Sequence, residues 1–260
     1  MNRIDKKFQE LNGEKALITF VTAGDPDLDT TKKLVLEMEK SGADLIEIGV
    51  PFSDPIAEGP TIQKASLRAL KGGVTLVKIF DTVRELRQET DAPLLLMMYV
   101  NTIFRFGTER FFSLCKETGI DGVIVPDLPY EEKDELSDMA LKYGVKQISL
   151  VAPTSHDRIA EIAGNAEGFL YCVSSTGVTG TRTEFKTNFD EFFGEIKKSV
   201  KIPYCVGFGI SSPEQAKKMS EYCDGVIVGS GVVKIVEQYG KDSIGPVGEF
   251  VSALKKGMKA

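Results

Sequence analysis

The sequence predicts a single-domain (β/α)8 barrel, the TIM-barrel architecture, over residues 1–260. Eight short runs rich in Val, Ile and Leu start between residues 17 and 225, in seven steps that average about 30 residues. The runs are almost continuously apolar, which is typical of parallel strands buried on both faces. Amphipathic helical segments lie between them. A doubly wound open sheet is the alternative architecture with the same alternation.

Each predicted element follows from these patterns. The predicted strands are Leu17–Ala23, Asp44–Val50, Pro93–Val100, Asp121–Asp127, Lys146–Ala152, Gly168–Val173, Pro203–Gly207 and Gly225–Val228. Helical periodicity predicts helices over Thr30–Lys40, Glu109–Thr118, Tyr130–Tyr143 and Pro213–Tyr222. An extra N-terminal helix carrying Ile4, Phe8 and Leu11 is expected to cover the lower mouth of the barrel. Strands two and three start 49 residues apart and strands six and seven 35 apart, so long loops are expected after strands two and six.

The composition excludes several function classes. A net charge of −6 argues against a general binder of nucleic acid or of anionic membranes. The polar start at Met1–Glu14 lacks a signal-peptide core, and the longest apolar run, Leu94–Val100, is too short to span a bilayer. The four cysteines show no CxxC spacing, so we expect a cytoplasmic protein with reduced thiols. His156 is the only histidine, so a metal centre is not expected, and His156 itself is expected at the surface or in a supporting role.

The second strand contains a charged residue in the apolar run DLIEIGV. Strand alternation places Glu47 on the same face as Leu45 and Gly49. One interpretation is a catalytic acid or base that points into the barrel, with its pKa raised by loss of water. The alternative is a structural carboxylate held by an ion pair or by hydrogen bonds.

A second carboxylate follows in the loop PFSDPIAEGP. Its three prolines restrict the backbone, so the loop can hold a side chain in place with less loss of entropy on binding. Asp54 is interpreted as a turn residue and Glu58 as the second candidate carboxylate of the site. The alternative for Glu58 is an ordinary solvated loop residue.

Glycine-rich segments follow the last two strands. GFGISS (207–212) and GSG (229–231) stand where such barrels often bind phosphate through backbone N–H groups and a helix N-terminus. Two tight turns are the alternative. A dinucleotide fingerprint is not favoured because the third glycine is missing. The loop after strand six, 174–188, carries Gly177 and Gly180 as potential hinges of a lid, or is a disordered surface loop.

If the substrate is phosphorylated and the reaction is aldol-like, elimination narrows the possible chemistry. A Schiff-base aldolase needs a desolvated strand lysine, and the predicted strands hold only Lys146, at the wrong end of strand five. A metal aldolase usually needs histidine ligands. Acid–base catalysis by carboxylates remains, with help from Tyr171 on strand six.

Six segments together resemble the tryptophan synthase α subunit family. They are LITFVTAGDP (17–26), IEIGVPFSDPIAEGPTIQKA (46–65), MMYVN (97–101), STGVTGTR (175–182), VGFGISSPEQ (206–215) and GSGVVKI (229–235). The resemblance covers essentially the whole chain, and PFSDP with a carboxylate before GPTIQ is its most specific part. It implies cofactor-free retro-aldol cleavage of indole-3-glycerol phosphate to indole and glyceraldehyde 3-phosphate. It also implies an α2β2 complex in which a β subunit holds pyridoxal phosphate and receives the indole, with 51–60 and 101–107 in the contact surface.

The resemblance also assigns residues. It implies that Glu47 is the general acid and base, that Glu58 accepts a hydrogen bond from the indole N–H, and that Tyr171 is the active-site tyrosine. The implied substrate-binding residues are Phe20, Met97 and Ile124 at the indole, Thr179 in the lid, and Gly180, Gly209, Gly229 and Ser230 at the phosphate.

Two positions depart from the family pattern. Glu58 stands where the family usually has aspartate, and the extra methylene moves the carboxyl group by roughly 1.5 Å. Ser175 stands at a lid position that is often arginine. Two alternatives therefore stay open: a stand-alone lyase that releases free indole, and a mainly regulatory subunit that binds ligand but catalyses poorly.

Overall fold

The computed structural model describes residues 1–173, 189–207 and 209–259, and within them nine parallel strands form one sheet. The strands are β1 (Ala16–Thr22), β2 (Leu45–Gly49), β3 (Leu94–Met97), β4 (Gly122–Ile124), β5 (Lys146–Ile148), β6 (Leu150–Val151), β7 (Leu170–Val173), β8 (Tyr204–Gly207) and β9 (Gly225–Val228). Their spatial order is β5-β4-β3-β2-β1-β9-β8-β7-β6. The two outermost strands, β5 and β6, are separated in the chain only by Ser149.

This continuity closes the sheet into a barrel. β5 pairs with β4 and β6 pairs with β7, so one short segment bridges both ends of the sheet. The carbonyl of Ser149, between them, accepts the N–H of Tyr171 at 2.9 Å. β5 and β6 together are the predicted fifth strand, and the predicted (β/α)8 barrel is confirmed.

Twelve α-helices occur among the described residues. They are α1 (Arg3–Leu11), α2 (Leu28–Lys40), α3 (Pro60–Lys71), α4 (Leu76–Leu86), α5 (Val100–Phe106), α6 (Thr108–Thr118), α7 (Asp134–Tyr143), α8 (Ile159–Gly164), α9 (Phe189–Ser199), α10 (Pro213–Ser220), α11 (Ser230–Tyr239) and α12 (Ile244–Lys259). None of these helices is both long and apolar enough to cross a membrane. The long connection after β2 holds a loop, 50–59, followed by the two helices α3 and α4. The predicted long loop after strand six, 174–188, lies outside the described residues.

The predicted third strand ends earlier than expected. Pro93–Val100 was predicted, but β3 stops at Met97, and α5 begins at Val100. Tyr99 caps α5 in an extended conformation, and the Val100 N–H donates to the Asp127 carboxylate at 2.9 Å. Met98 and Tyr99 are buried. The sequence therefore stays apolar past the end of β3, and its composition does not indicate where the strand ends.

Strand alternation divides the buried side chains into two layers. The outer layer packs the strands against the surrounding helices and includes Leu17, Ile46 and Leu96. The inner layer fills the barrel interior; its members on strands are Ala16, Ile18, Phe20, Leu45, Leu95, Met97, Ile124, Ile148, Tyr171, Cys205 and Ile227. The alternation places Glu47, two residues after Leu45, in the inner layer.

Helix α1 closes the amino-terminal end of the barrel, as predicted. Ile4 is completely buried, and Phe8 and Leu11 pack against the inner layer. The rings of Phe8 and Phe169 lie 6.0 Å apart. Lys146 also lies at this end, where its ammonium group is 3.4 Å from the Asp5 carboxylate. The strand lysine is therefore far from the end where the site is expected.

One arginine ties several loops together at the same end. The Arg87 guanidinium donates to the carbonyls of Thr90, Ala92 and Gly119 at 2.6–3.2 Å. It also contacts the buried Asp121 carboxylate at 2.7 Å. These bonds satisfy polar groups that water reaches poorly, so they stabilise the fold rather than contribute to a site.

We expect Arg87→Ala to lower the free energy of unfolding by about 3–5 kcal/mol, because Asp121 and three carbonyl groups lose a buried partner. Urea unfolding measures this change. Arg84→Ala is the matched control on the same helix, since Arg84 makes only exposed ion pairs to Asp81 and Glu117. Its expected effect is below about 1 kcal/mol. Equal losses in the two variants would contradict this interpretation of Arg87.

Candidate active site

A cavity at the carboxyl-terminal end of the barrel gathers most of the predicted site residues. Together with the open space at its mouth, it has a volume of about 450 Å³. Its lining residues are Phe20, Glu47, Glu58, Ile62, Met97, Tyr171, Gly209, Ile210, Ile227, Gly229 and Ser230. The wall is mostly apolar, with two carboxyl groups, one phenol, one hydroxyl and glycine backbone at separate places. This composition fits a small ligand that has an aromatic part and a polar part.

Glu47 projects from the middle of β2 into this cavity. The strand register pairs it with Phe20 of β1 and Leu95 of β3, both inner-layer residues. The residue is only 1% exposed, and no described residue hydrogen-bonds its buried Oε1. Burial raises the pKa of Glu47 to about 8. A carboxyl group with this pKa can both donate and accept a proton near neutral pH.

Glu58 enters the cavity from the loop 50–59, just before α3. It is 7% exposed, and within the part of the chain that the structure describes its buried Oε2 has no hydrogen-bond partner. Burial raises the pKa of Glu58 to about 7. The carboxyl group is therefore not solvated as an ordinary loop residue would be, and it is available to a ligand donor.

Two aromatic rings of the cavity lie against glycine backbone. A Cβ on Gly49 would come within 2.3 Å of the Phe20 ring, and a Cβ on Gly207 within 2.4 Å of the Tyr171 hydroxyl. No real contact is this short, so each ring occupies space that only glycine leaves free. The two glycines thus make room for the two rings that line the cavity.

Backbone groups also line the cavity. Gly229 precedes α11 and Ser230 begins it, and both line the cavity. The first N–H groups of an α-helix have no partner within the helix and favour an anion. Gly209, in the loop after β8, has a φ of +84° and lines the cavity as well. This arrangement can hold a phosphate group.

Comparisons with known proteins decide the family. A family model described as tryptophan synthase alpha chain matches residues 7–259. The chain belongs to the tryptophan synthase alpha chain family.

Individual relatives agree with this assignment. A tryptophan synthase alpha chain from Thermoanaerobacter sp. (strain X514) is 50% identical over 260 residues, covering 98% of this chain and 99% of the relative. A solved structure from Aquifex aeolicus VF5 has a TM-score of 0.91 at 42% identity and covers 99% of both chains. A chain of the tryptophan synthase α2β2 complex from Pyrococcus furiosus has a TM-score of 0.85 at 38% identity, covering 92% of this chain and 97% of that one. The family predicted from the sequence resemblance is confirmed.

Not all residues assigned from the family resemblance line the cavity or are described by the structure. Ile124 is fully buried in the inner layer and pairs with Met97 in the register, but it does not line the cavity. Thr179 and Gly180 lie outside the described residues, as does Ser175. The backbone of His156 lies in the 3-10 helix Pro153–Arg158, and its side chain is not described. The described residues contain no group of three or more side chains suited to bind a metal ion.

Three isoleucines of the wall were not predicted. Ile62 lies in the first turn of α3, Ile210 in the loop after β8, and Ile227 on the inner face of β9. Alternation along the last predicted strand could have identified Ile227. Nothing in the local sequence distinguishes Ile62 and Ile210 from ordinary core residues.

A larger cleft lies between α7 and α8, over β5 and β6, with about 1260 Å³ of free space. Its charged groups include Arg158, which pairs with Glu131, and Lys133, whose ammonium group lies over the Tyr130 ring. It contains neither Glu47 nor Glu58. The smaller cavity is therefore the candidate active site, because only it combines buried unpaired carboxyl groups with an anion-binding helix end.

We expect the free energy of unfolding to fall as the pH rises from 5 to 8. The pKa values of Glu47 and Glu58 are raised from 4.5 to about 8 and about 7, so the folded protein retains protons that the unfolded chain has lost. Their contribution is complete below pH 4.5 and is lost as the pH rises through the folded-state pKa values. The slope is up to about 1.4 kcal/mol per pH unit for each group.

Urea unfolding at several pH values measures this slope. Glu47→Gln removes one of the two titrating groups and should make the pH dependence shallower, while Glu58→Gln should do the same at the lower end of the range. An unchanged slope in Glu47→Gln would show that this carboxyl group already ionises normally in the folded protein.

Proposed function

We propose that this chain is a tryptophan synthase α subunit that cleaves indole-3-glycerol phosphate to indole and glyceraldehyde 3-phosphate. The observation that carries the proposal is that two buried carboxyl groups, each with an oxygen that no described residue hydrogen-bonds, line one apolar cavity together with the N-terminus of α11. The indole ring packs among Phe20, Met97 and Tyr171. The phosphate group binds at Gly209, Gly229 and Ser230, where backbone N–H groups neutralise its charge.

Glu47 carries the proton transfers. Protonated Glu47 donates to indole C3, which places a positive charge on the ring nitrogen. The Glu47 carboxylate then assists removal of the proton from the glycerol hydroxyl group next to the ring. As that O–H bond breaks, a carbonyl group forms, the bond between indole C3 and the glycerol carbon breaks, and its electron pair returns to the ring. One proton enters and one leaves, so no metal, Schiff base or other cofactor is needed in this chain.

Glu58 stabilises the charge that develops on the ring. As a carboxylate it accepts the hydrogen bond of the indole N–H and interacts with the positive nitrogen of the intermediate. Its pKa near 7 falls when it faces a positive charge, so the ionised form is favoured at that moment of the reaction. The surrounding apolar wall strengthens this interaction because little water competes for the carboxylate.

The partner in this proposal is a β subunit, in an α2β2 complex in which pyridoxal phosphate belongs to the β subunit. The surface around the cavity exposes Ile56, which is 73% accessible, and Phe104, which is 45% accessible. They lie in the segments 51–60 and 101–107, which are the predicted contact surface. Indole is apolar, and a covered exit limits its loss into solution.

All four cysteines are free and buried, which favours a reducing cytoplasm.

A regulatory subunit with weak catalysis is the second candidate, because Glu58 replaces the aspartate usual in the family. One assay separates it from the main proposal and from a stand-alone lyase. The purified chain is incubated with indole-3-glycerol phosphate, with and without a β subunit, and indole is measured. Cleavage that the β subunit enhances supports the main proposal. Steady cleavage without it indicates the lyase, and activation of the β subunit with negligible cleavage indicates the regulatory role.

We expect Glu47→Gln to lower kcat for cleavage by about 10²–10⁴-fold, because the amide can neither donate nor accept the transferred proton. Glutamine has nearly the same size, so the affinity for the substrate should change little. Single-turnover kinetics and equilibrium binding measure the two quantities. Wild-type turnover in this variant would refute the role given to Glu47.

Glu58→Ala should reduce turnover more than phosphate affinity, since in this proposal Glu58 binds the indole N–H and the phosphate group binds at Gly209, Gly229 and Ser230. Cleavage kinetics and the binding of glycerol 3-phosphate measure the two effects. Glu58→Asp is the matched variant that keeps the charge and shortens the side chain. A larger loss in glycerol 3-phosphate affinity than in kcat would place Glu58 at the phosphate end instead.

A further inference from the structure

The loop 50–59 has an unusual requirement. It exposes Ser53, Asp54 and Ile56 to solvent, yet it must deliver Glu58 into a buried cavity. Burying a carboxyl group without a hydrogen-bond partner costs free energy. The backbone that carries Glu58 must therefore hold the carboxyl group in the cavity. The contacts that fix this loop therefore determine where the Glu58 carboxyl group lies.

Tyr99 contacts the loop at two separate places. Its hydroxyl oxygen accepts the Ala57 N–H at 3.0 Å, one residue before Glu58. Its ring stacks on Phe52, with centroids 4.8 Å apart and planes inclined by 20°. A single side chain thus holds the beginning and the end of the loop.

Tyr99 is itself firmly placed. It is 2% exposed and caps α5 directly after β3, and the next residue, Val100, bonds to Asp127. Burial raises the pKa of Tyr99 to about 12, and the nearby Glu58 charge contributes to the shift. The phenol therefore stays neutral and keeps its role as an acceptor throughout the working pH range.

Gln63 holds the other side of the same carboxylate-bearing residue. Its side-chain amide donates to the Glu58 carbonyl at 2.8 Å. The backbone is therefore fixed on both sides of the Glu58 Cα, through Ala57 by Tyr99 and through the Glu58 carbonyl by Gln63. Fixing the backbone restricts the positions that the longer glutamate side chain can reach.

We infer that Tyr99 is a positioning residue for Glu58. By holding Phe52 and Ala57 it aims the Glu58 carboxyl group at the ring nitrogen of the substrate, without touching the reacting atoms itself. The inference rests on the proposed function for its consequence in catalysis, whereas the holding of the loop can be measured separately.

The test is Tyr99→Phe, which keeps the ring and removes the hydroxyl that accepts the Ala57 N–H and also bonds the backbone of Ile56 in the same loop. We expect kcat for cleavage to fall about tenfold, since small displacements of a catalytic group lower rates strongly. The KM and the affinity for glycerol 3-phosphate should stay within about twofold, and the pH profile of kcat should shift because Glu58 changes its environment. Tyr204→Phe is the control: it removes the hydroxyl that donates to the Tyr222 carbonyl at 2.7 Å, on a strand outside the cavity. It should leave the pH profile unchanged.

A double-mutant cycle ties the effect to Glu58. In a Glu58→Ala background, adding Tyr99→Phe should cause little further loss of kcat, because the group to be positioned is gone. An equal loss in both backgrounds would overturn the inference, since Tyr99 would then act on something other than Glu58.

Amide hydrogen exchange separates this inference from the proposed function. Tyr99→Phe should speed exchange at Ala57 and leave the β-strand amides protected. Unchanged exchange at Ala57 would overturn the inference even in an active enzyme. If the wild type fails to cleave indole-3-glycerol phosphate, the proposed function fails, while faster exchange at Ala57 still supports the holding of the loop.

Discussion

The site depends on one constraint: Glu47 is buried away from water, and no described residue replaces the hydrogen bonds that its Oε1 would make to water. Such burial is unfavourable for the charged form, and the molecule accommodates it by keeping the carboxyl group protonated near neutral pH. This requires a dry barrel interior around β2, which the apolar side chains of the neighbouring strands supply. The inner layer is thus more than packing: its apolarity sets the protonation state on which the proposed chemistry depends.

The barrel divides stability and chemistry between its two ends. At the amino-terminal end, Arg87 pairs with Asp121 and donates to backbone carbonyls, and α1 closes the opening. At the carboxyl-terminal end, Glu47 and Glu58 each leave a buried oxygen without a partner. A satisfied network stabilises the fold, whereas an unsatisfied pair is held ready for a ligand. Burying Glu47 and Glu58 lowers the stability of the fold. The fold tolerates this loss because the Arg87–Asp121 network lies at the other end of the barrel and is not affected.

The sequence predicted the barrel well because the signal is repeated eight times and each strand is buried on both faces. It grouped Glu47 with Leu45 on one face, because side chains alternate along a strand, and Leu45 belongs to the inner layer. Strand ends were harder: at Met98 and Tyr99 the chain leaves the sheet but remains buried, so composition does not change where the structure does. The wall residues Ile62 and Ile210 were also hidden, because they reach the cavity from a helix and a loop whose directions only the tertiary fold determines. Likewise, local sequence alone could not show that Tyr99 meets Ala57 across 42 residues.

Glu47 is held by a strand and Glu58 by a loop. This difference bears on the effect of having glutamate at residue 58, where the family usually has aspartate. Glu47 stands on a central strand whose neighbours on both sides fix its level in the barrel, so a change of its length would move the proton relative to the substrate with nothing to compensate. Glu58 stands on a loop whose backbone is held by Tyr99 and Gln63, so the position of its carboxyl group depends on these two contacts. The charge near the ring nitrogen acts through electrostatics, which weaken with distance, whereas proton transfer at C3 requires close contact. The effect of a longer acid at residue 58 is therefore set by the contacts of the loop, whereas the level of Glu47 is set by its strand.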